Sequence, residues 1–537
     1  MKNETENPRK KALWYLILAL YAVINAFLAF HHEPWRDEAQ SWLIVRDLNF
    51  LQIIDLMNSE GHGCLWYLIL YPFIKAGASV YVQNVIAVII NTLAAYLVIF
   101  KSPFPAYLKI PVVSGTVLMY YFPVIARNYA LVPVLLFLIA CTFEKRHEMP
   151  YLYALFVAML VQTHVYILMA GFALSLWFLI ERIRINKNGL IRDVLPLLLP
   201  LFSGILLIIE LTPLTSEVAS YSAGEEAYML GRSFISSVRR VMPGSYRSLY
   251  ILSLATGVLM LLTLIYAAIR LREMRVPVLI FFCVWGYQIW MNASVYNMST
   301  QRALLVVVAL VSMVWIGTVA VAGGKTAAGD GASSCEGPGV YTGGVSSDGA
   351  GNMTDPEKAP AGTGSAADGK LKTDIRTDTG TDTRIIKSLH ISLSIWLFVT
   401  AVRAVPVYIS EVNDPYSNGV NAAAFINSDI DRQALILTDD EPIAQAVLPF
   451  LEGRDSLSCM GEDFSYVVYS EPHAEDPEEA EWLSSVESRA DGYGGEVYYL
   501  ACESKAVKAL QAAGYQEVYA DETSAITDDN YRLFKLR

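Results

Sequence analysis

HHEPWRDEAQSW, residues 31–42, sets two histidines, an arginine and three carboxylates directly after the first apolar run of the chain. A carboxylate in such a place can take the proton of an attacking hydroxyl, and Asp37 with Glu38 is the candidate pair. Together with His31, His32 and Glu33 the pair also forms a candidate ligand set for a divalent ion. Polar residues recur at the ends of later apolar stretches: His62 in EGHGCLWYLIL, Arg127 in ARNYAL, His164 in QTHVY and Arg302 in NASVYNMSTQR. Taken singly each has a plain structural use, since arginines snorkel to headgroups, histidines pack, and acidic residues suit a helix start. Gathered on one face they set carboxylates against guanidinium groups at a boundary between lipid and water. Such an arrangement suits a lipid-linked phosphate, whose oxygens a guanidinium fork pairs well.

Whether they share a face depends on the topology. The chain has 537 residues, 54% of them hydrophobic and 17% charged, with a mean hydropathy of +0.38. That composition belongs to a multi-span membrane protein. Runs of the roughly 20 apolar residues that a crossing needs recur from Leu13 to about Met313, and once more from Ile391 to Ile409. The start MKNETENPRKK is basic and lacks a cleavage site, so it reads as a retained anchor with the amino terminus cytoplasmic and HHEPWRDEAQSW outside. Basic clusters at EKRH (144–147), ERIRINKNGLIR (181–192) and RLREMR (270–275) mark the inner face. The chain then emerges near residues 162–166, 212–250 and 292–302. Two outward segments, Asp37 to Gly63 and Ala126 to Tyr129, are separated by three apolar stretches, which breaks the parity. The shortest, residues 64–77, is expected not to cross fully, giving an odd number of crossings, 11 or 13. AQSWLIVRDLNFLQIIDLM (39–57) has helical spacing and is expected to lie along the outer leaflet as one amphipathic helix.

The expected domains are a multi-span core over 1–322, a disordered cytoplasmic linker rich in Gly, Ser, Thr and Asp over 323–385, a last span over 386–410, and a soluble extracytoplasmic α/β domain over 411–537. This last region carries 26 acidic against 8 basic residues, more than the whole net charge of -12. ALILTD (434–439), EVYYLA (496–501) and EVYA (517–520) read as strands, and EPIAQAVLPFLEG (441–453) and SKAVKALQAAG (504–514) as helices. It has neither GxGxxG nor a P-loop, so no nucleotide is assigned and no nucleic-acid partner is expected. EPHAEDPEEAE (471–481) reads as a solvated loop and helix start. The six cysteines show neither CxxC nor zinc-ligand spacing.

HEPWRDEAQSW after a first span, GHGCLWYLIL where the pattern often reads GHPPLWYLL, and ARNYAL opening a later span resemble the GT-C membrane glycosyltransferases that use polyprenyl-phosphate sugars. This group, of glycosyltransferase family 39 type, includes the protein O-mannosyltransferases and the lipid A aminoarabinose transferases. The resemblance covers residues 12–320 in order and spacing. It implies a polytopic α-helical plasma-membrane protein of GT-C-like fold, moving a sugar from a polyprenyl-phosphate donor to an extracytoplasmic lipid, glycan or protein by an inverting single displacement. By that analogy Asp37 is the base with Glu38 beside it, Arg127 and Arg302 meet the donor phosphate, and His62 and His164 position substrate. Some members use a divalent metal and others none, so a metal cofactor stays open. The rival reading is a flippase for a lipid-linked glycan; transporters often show paired repeats with broken helices, and no such self-similarity is visible here.

Overall fold

The computed structural model describes residues 8–185, 194–212, 223–244, 247–295, 298–330, 379–459, 462–469, 479–521, 523–524 and 529–537. Eight helices are long and apolar enough to span a membrane, and three shorter apolar helices accompany them among the described residues. The chain enters through α1 (Pro8–His31), then α2 (Arg36–Asp47), α3 (Phe50–Glu60) and α4 (Leu65–Lys75). Both ends of α4 stay on the face that carries Asp37. At one end Gly63 packs on Gln162; at the other Lys75 Nζ donates to the Arg46 carbonyl at 3.0 Å and Trp42 Nε1 to the Ala78 carbonyl at 3.1 Å. The stretch 64–77 thus holds an 11-residue apolar helix, shorter than a full crossing needs.

The next helices run between the two faces. Helix α5 (Val82–Phe100) runs from the Asp37 face to the opposite one, and α6 (Ala106–Ser114), continued by a π-helical turn at Val117–Tyr121, returns. Lys109 Nζ meets the Ile99 carbonyl at the far end of α5 at 2.6 Å, whereas Tyr120 hydrogen-bonds Glu411 beside His32. The order continues with α7 (Leu131–Thr142), α8 (Pro150–Val161), α9 (Leu168–Ile185), α10 (Leu198–Glu210), the surface helix α11 (Ala223–Arg240), α12 (Arg247–Arg270), α13 (Arg275–Ser294), α14 (Thr300–Asp330) and α15 (Thr379–Asn413). Among the described residues eight segments have the length and apolarity of a crossing, against the 11 or 13 expected. Helix α14 sits at the centre, with nearly every side chain from Ala303 to Ile316 buried. Between lipid-facing helices apolar burial gives little net drive, so contact packing and interhelical hydrogen bonds hold them. Of the expected linker, α14 takes the residues to Asp330 and α15 those from Thr379; 331–378 lie outside the described residues, as do 471–478.

The pattern read as one amphipathic helix over 39–57 is two helices. Asn49 ends the first and caps the second, its side chain accepting from the backbone N–H groups of Leu51 and Gln52 in a capping box with Gln52. Nor does α2 lie open on a leaflet. Ile44 and Val45 pack into the membrane core, while Ala39 and Leu43 join the core of the carboxy-terminal domain, all four fully buried. The periodicity predicted one apolar face against lipid and could not show that a domain 380 residues later would cover the other.

That domain is a six-stranded mixed sheet of β1 (Leu435–Thr438), β2 (Leu457–Cys459), β3 (Glu462–Phe464), β4 (Val497–Ala501), β5 (Gln516–Asp521) and β6 (Tyr531–Lys535), ordered β3-β2-β1-β4-β6-β5. Strand β1 pairs in parallel with β2 and β4, and the remaining pairs are antiparallel. The strands read at 434–439, 496–501 and 517–520 and the helix closed by Gly514 are present; β2, β3 and β6 were not foreseen. The helix expected over 441–453 shortens to Glu441–Ala444 and a 3-10 turn at Leu448–Phe450, because Pro449 has no N–H to carry it on. Leu43→Ala empties a buried site shared by α2 and this domain, a class of change that costs about 2–5 kcal/mol. It should lower the melting midpoint in detergent and speed proteolysis between residues 413 and 419; unchanged values would mean that α2 does not hold the domain.

Candidate active site

The site is built on the first turn of α2. Glu38 reaches back to the Trp35 N–H at 3.4 Å, closing the helix start, and is fully buried. The same carboxylate accepts from His32 Nε2 at 2.7 Å, Asn84 Nδ2 at 3.2 Å and the Ala126 N–H at 2.7 Å. One anion thus joins the end of α1, α2, α5 and the irregular segment after the π turn. A buried carboxylate is tolerable only with such partners. His32 completes the chain, its Nδ1 meeting Glu411 Oε1 at 2.8 Å, with Tyr120 donating to the other Glu411 oxygen. Burial opposes the imidazolium, yet the Glu38 and Glu411 carboxylates on either side outweigh it and push the pKa of His32 up to about 10.

Asp37 and Arg127 are the neighbours of Glu38 and Ala126, and they pair directly. Holding the Ala126 N–H therefore also sets the backbone from which Arg127 projects. Unlike Glu38, Asp37 is open: 24% of its side chain is exposed, and 13% of that of Arg127. Burial works against the guanidinium, but Asp37 and nearby oxygens more than compensate, so Arg127 stays charged. It lies 5.7 Å from the Tyr129 ring centroid, and Arg302 Nε donates to the Tyr129 hydroxyl at 3.1 Å. Both predicted cations thus converge on one tyrosine.

His164 meets that hydroxyl from the other side, Nε2 to oxygen 3.2 Å, while its Nδ1 accepts from the Tyr166 N–H at 3.1 Å. Burial, then the Arg302 charge, hold its pKa far below the usual value, so the ring is neutral. With Nδ1 accepting, the one ring proton belongs on Nε2, and Tyr129 receives two donors. Its own proton is left for a third partner. His62 stacks on Tyr67 at 5.7 Å and lies 6.0 Å from His164; burial and the Arg127 charge lower its pKa to about 3. The GHGC departure from a double proline has a steric reason, since a Cβ on Gly63 would lie 2.6 Å from the Gln162 carbonyl oxygen.

Several residues of the site went unread in the sequence. Gln40, one turn beyond Asp37, makes a paired contact with Val467 of the carboxy-terminal domain: Nε2 donates to its carbonyl at 2.7 Å and Oε1 accepts its N–H at 3.0 Å. The same Nε2 donates to Glu60 at 2.8 Å, which also accepts from Tyr67 at 2.9 Å; burial pushes the Glu60 carboxyl up. Tyr469 from the same loop stands within electrostatic reach of Asp37, Glu60 and Arg127 and remains 41% exposed. The signal that pointed to such residues was VQNVIAVIIN, where amides inside an apolar span demand partners: Asn84 also holds the Val124 carbonyl and Asn91 those of Phe122 and Ala130.

The five residues read as a metal-ligand set do not converge. His31 is exposed and donates to the Phe27 carbonyl at 2.8 Å, His32 is held between two carboxylates, and among the described residues no group of three or more His, Cys, Asp or Glu is arranged for an ion. Glu33 is driven up to about 7, chiefly by burial.

Because the folded state raises His32 above its usual value of about 6.5, its contribution to stability is complete below that pH and is lost as the pH rises through about 10. The melting midpoint should hold to pH 7 and fall toward pH 10, and His32→Gln should flatten that fall. A wild-type midpoint that does not change would contradict a charged His32.

The sequence matches no family model and no curated protein. In three dimensions it is similar to the crystal structure of ArnT from Cupriavidus metallidurans bound to undecaprenyl phosphate, with a TM-score of 0.50 over 97% of this chain and 98% of that one, at 10% identity. The likeness includes the carboxy-terminal domain as well as the membrane helices, and the chain therefore has an ArnT-like fold.

Proposed function

We propose that the chain is a membrane glycosyltransferase moving a sugar from a polyprenyl-phosphate donor to an acceptor on the Asp37 face. The observation that carries this reading is the half-open Asp37–Arg127 pair in a fold shared with a protein that binds undecaprenyl phosphate. The described basic residues of the three clusters, among them Arg146, Arg182 and Arg270, sit at the helix ends away from Asp37, which supports an extracytoplasmic site.

The transfer needs a proton acceptor and a place for a departing phosphate. Asp37 takes the proton of the acceptor hydroxyl as its oxygen bonds to the anomeric carbon. The bond to the phosphate oxygen breaks with its electron pair, polyprenyl phosphate leaves, and the anomeric centre inverts. Arg127 serves both ends of this exchange: the donor phosphate competes for its guanidinium and releases Asp37 to act as a base. Arg302 and Tyr129 add a second cation and a hydroxyl proton for the phosphate. Glu38 is a positioning residue, acting through Ala126 on Arg127. Neutral His62 and His164 shape the acceptor side, and Tyr469 brings the carboxy-terminal domain to it.

Asp37→Asn should reduce transfer by at least about 10²-fold while insertion and donor-lipid binding persist. The check is turnover in vesicles with a lipid-linked sugar identified by mass spectrometry of cells lacking the protein. Near-normal turnover removes Asp37 from the chemistry, and movement of intact lipid-linked sugar without a new glycosidic bond makes the protein a flippase instead. Tyr469→Ala should raise KM for the acceptor and leave that for the donor; equal effects on both would deny it an acceptor role.

A further inference from the structure

Helix α5 carries two buried asparagines, Asn84 and Asn91, seven residues apart and therefore about 10 Å from each other on nearly one face. Asn84 serves Glu38 and the Val124 carbonyl. Asn91 lies halfway along the helix, where the membrane favours a hydrocarbon side chain. Its Nδ2 donates to the Phe122 carbonyl at 3.2 Å, to the Ala130 carbonyl at 3.3 Å and to the Ala87 carbonyl of its own helix at 3.0 Å. Carbonyls only accept, so the nitrogen must face them. The Oδ1 left over is buried and has no hydrogen-bond partner among the described residues. Interhelical hydrogen bonds add little net stability in a membrane, and a buried orphan oxygen subtracts from it. What Asn91 supplies is position.

Phe122 and Ala130 bracket the irregular stretch between the π-helical turn and α7. Extended, eight residues would reach about 26 Å. Held by one nitrogen, the two carbonyl oxygens instead lie within two hydrogen-bond lengths of each other, so Asn91 closes a loop at its neck. Irregular backbone at membrane depth persists only where protein groups satisfy it. Asn84 at Val124 and Glu38 at Ala126 tie the outer part of the loop, and the neck is left to Asn91. Three consecutive side chains inside the loop belong to the site. Arg127 pairs with Asp37, Asn128 Nδ2 donates to the Thr163 carbonyl at 3.0 Å, and Tyr129 gathers Arg302 and His164 on its hydroxyl.

We infer that Asn91 is a positioning residue for the donor phosphate: by closing the neck of the 122–130 loop from inside the membrane, it sets where Arg127 and Tyr129 stand when the phosphate arrives. The inference rests on the proposed role of those two residues toward the donor and adds a residue that meets no substrate. Without the amide, the Phe122 and Ala130 carbonyls must find other donors, and the loop opens at its base. A guanidinium at the tip of a loosened loop keeps its charge and loses its place, and a misplacement of about 1 Å is enough to weaken a phosphate clamp.

The test uses the full chain in phosphatidylcholine nanodiscs, with a polyprenyl phosphate as the probe and affinity read by native mass spectrometry. Asn91→Leu should weaken binding at least about tenfold. Asn91→Ala, which leaves room for water at the freed carbonyls, should weaken it in the same direction and decides alone if the leucine variant fails to insert. Thr92→Val removes a hydroxyl that bonds the Val88 carbonyl of α5 itself and should bind as the wild type does. The decisive readout is a double-mutant cycle. Once Arg127 is replaced in Arg127→Gln, the Asn91 substitution should cost no more than about twofold further, because residues that act through one another are not additive. Losses that multiply independently would make Asn91 a general structural residue, and unchanged affinity in both Asn91 variants, or an equal loss in Thr92→Val, would also overturn the inference. A wild-type chain that binds no polyprenyl phosphate would instead strike the proposed function, and the role of Asn91 would fall with it.

Discussion

The architecture of the site depends on one buried anion. Glu38 accepts from His32, Asn84, Trp35 and Ala126, donors drawn from three separate stretches of the chain. In a low-dielectric interior such a carboxylate is costly unless every lone pair is used. The demand therefore acts as a constraint on geometry: α1, α2, α5 and the segment before Arg127 must meet at one point. Once they do, the neighbouring residues Asp37 and Arg127 face each other without any further device.

The constraint spreads outward through His32. Its two nitrogens bridge Glu38 and Glu411, and Glu411 lies near the end of α15, from which the carboxy-terminal domain continues. The last membrane pass is thereby tied to the first. Asp529 of that domain, fully buried, approaches the start of α2, accepting from the Arg36 N–H at 3.4 Å, and Gln40 grips the Val467 backbone. Helix α2 is clamped at both its start and its middle. A helix on a free leaflet would move with the lipid; this one is held between two packed bodies.

Near Asp37 the guanidinium of Arg127 meets a carboxylate and that of Arg302 an aromatic face. This arrangement suits orientation of a reacting group, where geometry governs rate.

Much was legible in the sequence. Hydropathy showed a multi-span protein, and length marked 64–77 as the shortest apolar stretch, because a crossing has a fixed length. HEPWRDEAQSW, ARNYAL, QTHVY and NMSTQR identified the polar residues that the fold brings toward one face. What tertiary structure alone decided is which of two adjacent carboxylates is buried as a strut and which is left half open, since successive helical residues differ by only a rotation whose outcome depends on what packs where. The same holds for Gln40, Glu60 and Tyr469: side-chain amides, acids and phenols on a surface pattern acquire meaning only from a domain several hundred residues away. Local periodicity is set by the backbone and can be read along the chain; contacts across that distance are set by the packing of whole elements and cannot.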